Sequence, residues 1–156
     1  MAKAIVALKY HPNRAFGEIV ASKLAQLVRS EHWTIDLILA MPQSRRSFVE
    51  RGYNQVEMFS KPLSRLLGVK HGRKQIQRKL NTRTQVGLDH NDRYKNVRNA
   101  FIAEEHLISG INILLVDDVI TSGASLNFAA KAIRGGLAKN VYAVCLARAD
   151  IERHNA

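Results

Sequence analysis

Ile113-Leu114-Leu115-Val116-Asp117-Asp118-Val119-Ile120-Thr121-Ser122-Gly123-Ala124-Ser125 joins an aliphatic run to two adjacent acids and then to a loop of small hydroxylated residues. Five of the six residues from Ile111 to Val116 are aliphatic, the pattern of a parallel strand covered on both faces. Downstream, Leu126, Ala129, Ala130 and Ile133 recur at helical spacing into Gly135-Gly136, and Val141 to Ala147 reads as the next strand. Strand, helix and strand in that order make a βαβ unit. Ligands of open α/β sheets bind beyond the carboxyl ends of the strands, so residues 117–125, read as the loop after the strand, are where chemistry is expected. Thr121, Ser122 and Ser125 offer hydroxyls, Gly123 lets the backbone curl, and the helix that follows presents free N–H groups and its positive dipole end. Such a loop cradles one phosphate group. The carboxylates of Asp117 and Asp118 would repel that phosphate, so they are expected to serve another part of the same ligand, as acceptors for sugar hydroxyls or as magnesium ligands. A helix-capping Ser125 or a polar strand end at Asp117-Asp118 is the commoner explanation of each feature alone; their conjunction favours a site.

Working back towards the N-terminus, Ala4 to Lys9 looks like a short strand, and Phe16, Ile19, Val20, Leu24, Leu27 and Val28 predict an amphipathic helix. Ile35 to Leu39 predicts a buried strand running into Met41-Pro42. Val56, Phe59, Leu63, Leu66 and Leu67 predict a helix closed by Gly68, with Pro62 as a kink or break inside it. Residues 70–98 show little periodicity and are expected to be a loop or mobile hairpin, followed by a short strand at Ala100 to Ala103.

With 156 residues, 46% of them hydrophobic and 24% charged, the chain suits one domain, residues 1–156, with an ordinary core. No apolar run approaches the ~18 residues that span a bilayer, and Ile5 to Leu8 lacks the length and cleavage site of a signal peptide. A cytoplasmic protein without membrane insertion is the expectation. The lone Cys145 excludes an internal disulfide and a cysteine-based zinc cluster. Of the net charge of +11, residues 43–98 hold 14 basic and 4 acidic groups. That block attracts polyanions, whether phosphorylated small molecules or nucleic acid.

Residues 113–125 closely resemble the phosphoribosyl pyrophosphate (PRPP) motif of type I phosphoribosyltransferases, with serine at 122 and 125 where threonine is frequent. Arg51-Gly52-Tyr53-Asn54-Gln55, together with the spacing of Arg78, Thr82, Gln85, Leu88, Arg93, Asn96, Val97, Ala100 and Phe101, narrows the resemblance to the ComF family of competence-associated proteins. The resemblance implies an α/β fold of the phosphoribosyltransferase type, with a mostly parallel sheet flanked by helices and a basic hood over about 70–98. It implies that Asp117 and Asp118 hold the ribose hydroxyls and that Thr121, Ser122, Gly123, Ala124 and Ser125 hold the 5-phosphate. The loop Gln43-Ser44-Arg45-Arg46 is implied to face the pyrophosphate, with Arg51 as a further leaving-group candidate. Magnesium arrives with PRPP, and Asp117 and Asp118 are its candidate protein contacts. The four-cysteine zinc ribbon with which ComF proteins commonly begin has no counterpart here, so zinc is not carried over. Met41-Pro42-Gln43-Ser44 also stands where the family usually has Val-Pro-Val-Pro.

Two functions follow from the resemblance. One is transfer of a 5-phosphoribosyl group to a nitrogen acceptor with release of pyrophosphate, linked to DNA uptake. The other is a non-catalytic protein whose basic middle holds single-stranded DNA alongside competence proteins. A homo-oligomer is compatible with either. Histidines are scattered and support neither a metal cluster nor a histidine base, while Asn54 and Gln55 serve equally well as ligand contacts or as helix caps.

Overall fold

The computed structural model describes residues 13–79 and 100–149. The strand expected at Ala4 to Lys9, and the signature positions from Thr82 to Val97, lie outside them. In chain order the elements are α1 (Arg14–Ser30), β1 (Leu37–Ala40), α2 (Arg45–Arg51), α3 (Glu57–Leu67), β2 (Lys70–Gly72), β3 (Ile76–Arg78), β4 (Phe101–Ala103), α4 (Glu105–Ile108), β5 (Asn112–Ile120), α5 (Ala124–Gly135) and β6 (Asn140–Arg148). Among the described residues four strands form one sheet in the order β2-β1-β5-β6, and each pairing between neighbours is parallel. A separate antiparallel pair joins β3 to β4, with Arg78 opposite Phe101.

Why Leu37 to Ala40 and Ile113 to Val116 are apolar at every position follows from what covers them. Leu37, Leu39, Ile113 and Leu115 face one core with Phe128, Ala129 and Ile133 of α5. Ile38, Leu114 and Val116 face the other with Val20, Leu24, Phe59 and Leu63 of α1 and α3. Alternation therefore continues along β5: Asp117 follows Leu115 towards the α5 side, and Asp118 follows Val116 towards the α3 side. At the opposite end of the sheet, Asp36 accepts from the Asn112 backbone and side-chain nitrogens at 2.7 and 2.8 Å. Asn140 donates to Asn112 at 2.8 Å, so three strands are tied where β5 begins.

Pro62 does not break α3, which runs unbroken from Glu57 to Leu67. Lacking an N–H, it leaves the Met58 carbonyl without its donor from the next turn, and α1 crosses at that carbonyl. A Cβ on Gly17 would overlap the Met58 oxygen, so only glycine permits the approach. Gly17→Ala is expected to lower the unfolding free energy by about 1–3 kcal/mol, read from the midpoint shift in a urea titration.

Three expectations change. Residues 70–72, expected as loop or mobile hairpin, are the edge strand β2, parallel to β1; a strand of three residues shows no apolar run. Residues 76–78, under the same loop-or-hairpin expectation, form a strand paired antiparallel to β4. The short helix α2 has no counterpart among the expected elements, because it buries no residue and so lacks the apolar stripe that periodicity detects. No helix among the described residues is long and apolar enough to cross a membrane.

Candidate functional site

β5 extends through Ile120, so Asp117 and Asp118 sit within the paired part of the strand rather than in the loop beyond it. Pairing to β6 at Asp117–Cys145 and Val119–Ala147 satisfies the backbone there, which is why an acid pair is tolerated inside the sheet. Each carboxylate also accepts from the next backbone nitrogen, Asp117 from Asp118 N at 2.9 Å and Asp118 from Val119 N at 2.8 Å.

Both acids open into a cleft of about 240 Å³ at the carboxyl edge of the sheet. Across it stand Gln43, Ser44, Arg51, Gln55, Arg78 and Ser125. The cleft thus gathers residues from four separate parts of the chain.

Burial pushes the Asp117 carboxyl up to about 7, and the neighbouring Asp118 charge pushes the same way against a backbone hydrogen bond. Burial also raises the thiol of Cys145, Asp117's partner in β6, with the Asp117 charge adding to it. Cys145 is only half-buried.

The loop after β1 is stapled to the segment before α3. Asn54 donates to the Met41 carbonyl at 2.9 Å, and Gln43 donates to the Tyr53 carbonyl at 2.9 Å. The Gln43 amide oxygen is shut from solvent and has no hydrogen-bond donor among the described residues. The Gln43 amide thus supplies the second staple. Ser44 caps α2, accepting from Ser47 N at 3.1 Å.

Asn54 and Gln55 divide the two roles left open for them. Asn54 Oδ1 accepts from Val56 N at 3.1 Å, as a turn-forming residue does. Gln55 caps nothing: it is buried, accepts from Arg51 Nη1 at 2.6 Å and donates through Nε2 to Asp118 Oδ2.

Beyond the acids, Thr121 and Ser122 are exposed, and Gly123 caps α5 with φ +75°, a left-handed conformation that favours glycine. Thus Gly123, not Ser125, is the cap. Gly123 has no side chain to cap α5, and at the helix start Ala124 N donates to Ser122 Oγ at 3.4 Å. Of the loop residues Ser125 lines the cleft together with the acids, while Thr121, Ser122, Gly123 and Ala124 form the turn leading to it.

Arg45 and Arg46 are not brought to the cleft wall. Both are exposed on α2, and Arg46 pairs with Glu50 one turn on, at 2.7 Å, which raises the Arg46 pKa. Arg78 is brought there: its guanidinium lies 5.7 Å from the Phe101 ring centroid. Nothing in the local sequence assigns Arg78 a role, since its place depends on the β3–β4 pairing of residues far apart in the chain.

Comparison with protein families matches residues 7–155 to the phosphoribosyl transferase domain. Competence protein F of Haemophilus influenzae is 40% identical over 86 residues, covering 54% of this chain and 38% of that protein. DNA utilization protein YhgH of Escherichia coli O6:H1 is 33% identical over 113 residues, covering 72% of this chain and 49% of that protein. The chain therefore spans half or less of the length of these curated relatives. Among solved structures, glutamine PRPP amidotransferase from B. subtilis, complexed with ADP and GMP, superposes with a TM-score of 0.61 at 17% identity, over 91% of this chain and 30% of that one. At that identity the likeness is one of fold. A family match over nearly the whole length, relatives in the competence and DNA utilization group, and a parallel sheet with an acid pair at its carboxyl edge agree: the chain belongs to the phosphoribosyl transferase domain family, as a ComF member.

Proposed function

We propose that this protein binds PRPP in the cleft at the carboxyl edge and transfers its 5-phosphoribosyl group to a nitrogen acceptor, releasing pyrophosphate. The observation that carries this reading is the convergence of Asp117, Asp118, Ser125 and Arg51 on one cleft. In that arrangement Asp117 and Asp118 accept from the ribose hydroxyls. Thr121 to Ser125 and the start of α5 hold the 5-phosphate. Gln43, Ser44 and Arg51 face the pyrophosphate, while Arg45 and Arg46, exposed on α2, add positive potential at the approach.

Among the described residues the cleft lining offers carboxylate, amide and hydroxyl oxygens but no histidine or cysteine, a donor set that fits magnesium. Asp117 and Asp118, with oxygens of the ligand itself, would hold that ion, whose charge offsets the negative charge gathering on pyrophosphate. In the transfer, the bond from the sugar's anomeric carbon to the pyrophosphate oxygen breaks with its electron pair leaving on oxygen. The acceptor nitrogen supplies the pair that forms the new bond. The sugar is cationic midway, as in glycoside cleavage. Arg51 stabilises the departing anion, and the carboxylates of β5 keep the ring fixed by its hydroxyls.

A role in DNA uptake draws support from the relatives' names. Calorimetric titration of PRPP with magnesium is expected to give saturable binding, and pyrophosphate should appear when a panel of nitrogen bases is added. Absence of binding would remove the reading. A second reading, a non-catalytic holder of single-stranded DNA, is favoured by the 10 basic against 2 acidic residues between positions 43 and 79. PRPP binding without turnover, joined to retardation of a labelled oligonucleotide that weakens steeply with salt, would select it.

A further inference from the structure

Gln55 is an unusual residue to bury at a charged site. Its side chain reaches both Arg51 and Asp118, and these two charges, opposite in sign, meet through it. A primary amide is the neutral side chain suited to this place, since its oxygen accepts from guanidinium while its nitrogen donates to carboxylate. Glutamate would present a second anion to Asp118, and a hydrocarbon would leave both groups without this partner. Had Arg51 met Asp118 directly, the ion pair would consume the carboxylate oxygen and the guanidinium edge that a ligand needs. With the amide interposed, neither charge is spent on the other, and the guanidinium has further N–H groups to offer an anion.

Position on the fold makes the link possible. Alternation along β5 sends Asp118 to the α3 side, and Gln55 stands two residues before α3 begins. Arg51 ends α2, and the staples from Asn54 to Met41 and from Gln43 to Tyr53 fix the stretch between Arg51 and Gln55. We propose that Gln55 is a positioning residue that sets Arg51 and Asp118 together, coupling the pyrophosphate end of the cleft to the ribose end. The inference rests on the PRPP reading of the cleft.

Two half-ligands separate the two ends: inorganic pyrophosphate with magnesium, and ribose 5-phosphate. Gln55→Met loses both hydrogen bonds and should weaken each half-ligand by about tenfold and PRPP with magnesium by more than either, at unchanged binding stoichiometry. Gln55→Glu keeps the partner of Arg51 but sets a carboxylate against Asp118. At pH 8 it should weaken ribose 5-phosphate by about tenfold or more while changing pyrophosphate affinity less than about threefold. A residue that merely supports the fold would lower stoichiometry or weaken both probes alike. Equal losses in Gln55→Glu, or wild-type affinities in Gln55→Met with its circular dichroism intact, would overturn the coupling while leaving the PRPP reading standing. Failure of the wild type to bind PRPP removes both.

Discussion

Asp117→Asn/Asp118→Asn is expected to abolish calorimetric PRPP binding in the presence of magnesium while the far-ultraviolet circular dichroism stays that of the wild type. Each acid, when ionised, offers a charge-assisted acceptor to a hydroxyl, a contact of about 1.5–3 kcal/mol. Two such losses weaken binding by roughly two to four powers of ten. The fold should survive because both substitutions keep an oxygen for the local backbone donors, Asp118 N and Val119 N. The Asp118→Asn change also gives up the anionic acceptor that Gln55 engages, so on its own it should be the more damaging single change to PRPP affinity. Retained affinity in the double variant would detach the acid pair from ligand binding.

Asp117→Asn on its own is expected to make the unliganded protein more stable above neutral pH. Burial lifts the native Asp117 carboxyl from 3.8 to about 7, so between those values the folded state holds a proton that the unfolded chain has released. Stability contributed by that proton is complete below about pH 4 and is lost as pH rises to about 7. At about 1.4 kcal/mol per pH unit, the window is worth on the order of 2–4 kcal/mol. Asparagine carries no charge to bury, so its difference from wild type should be small at pH 4 and reach that size at pH 8. Guanidinium titrations across this range supply the measurement, and a constant difference at every pH would contradict the assignment of the burial cost to Asp117. Together the two results would describe a site whose ionised acid costs stability until a ligand's hydroxyls and metal engage it.

Much of the architecture is written locally. The unbroken aliphatic run Ile113 to Val116 requires cover on both faces, and the cores contributed by α5 on one side and α1 with α3 on the other are that cover. Amphipathic spacing marks α1, α3 and α5, because each buries one stripe and the stripe repeats every turn. Elements without a buried stripe are silent. α2 has none, and β2 is three residues long at an edge, so neither leaves a periodic trace. The end of β5 is hidden for a related reason: acids normally mark a terminus, yet here β6 pairs alongside as far as Ile120.

The candidate site divides along the same line. Paired acids, a hydroxylated loop and a glycine at 123 are contiguous, and contiguous residues announce themselves through chain chemistry alone. The amide of Gln55 is silent in sequence, for its neighbours there suggest a cap as readily as a contact. Its meaning comes from 63 residues away, where Asp118 Oδ2 accepts from it. Likewise, the consecutive residues Gln43 to Arg46 look equivalent in the chain, and folding separates them: Gln43 and Ser44 line the cleft, whereas Arg45 and Arg46 follow the first turn of α2 into solvent. The central strands, their covering helices and the acid pair with its hydroxylated loop are legible from the chain alone, because they rest on periodicity and on residues that are neighbours along it. Which arginine meets which acid, and through which amide, waits on packing, because a helix turn and a strand's alternation choose the direction of each side chain only once the elements are in place.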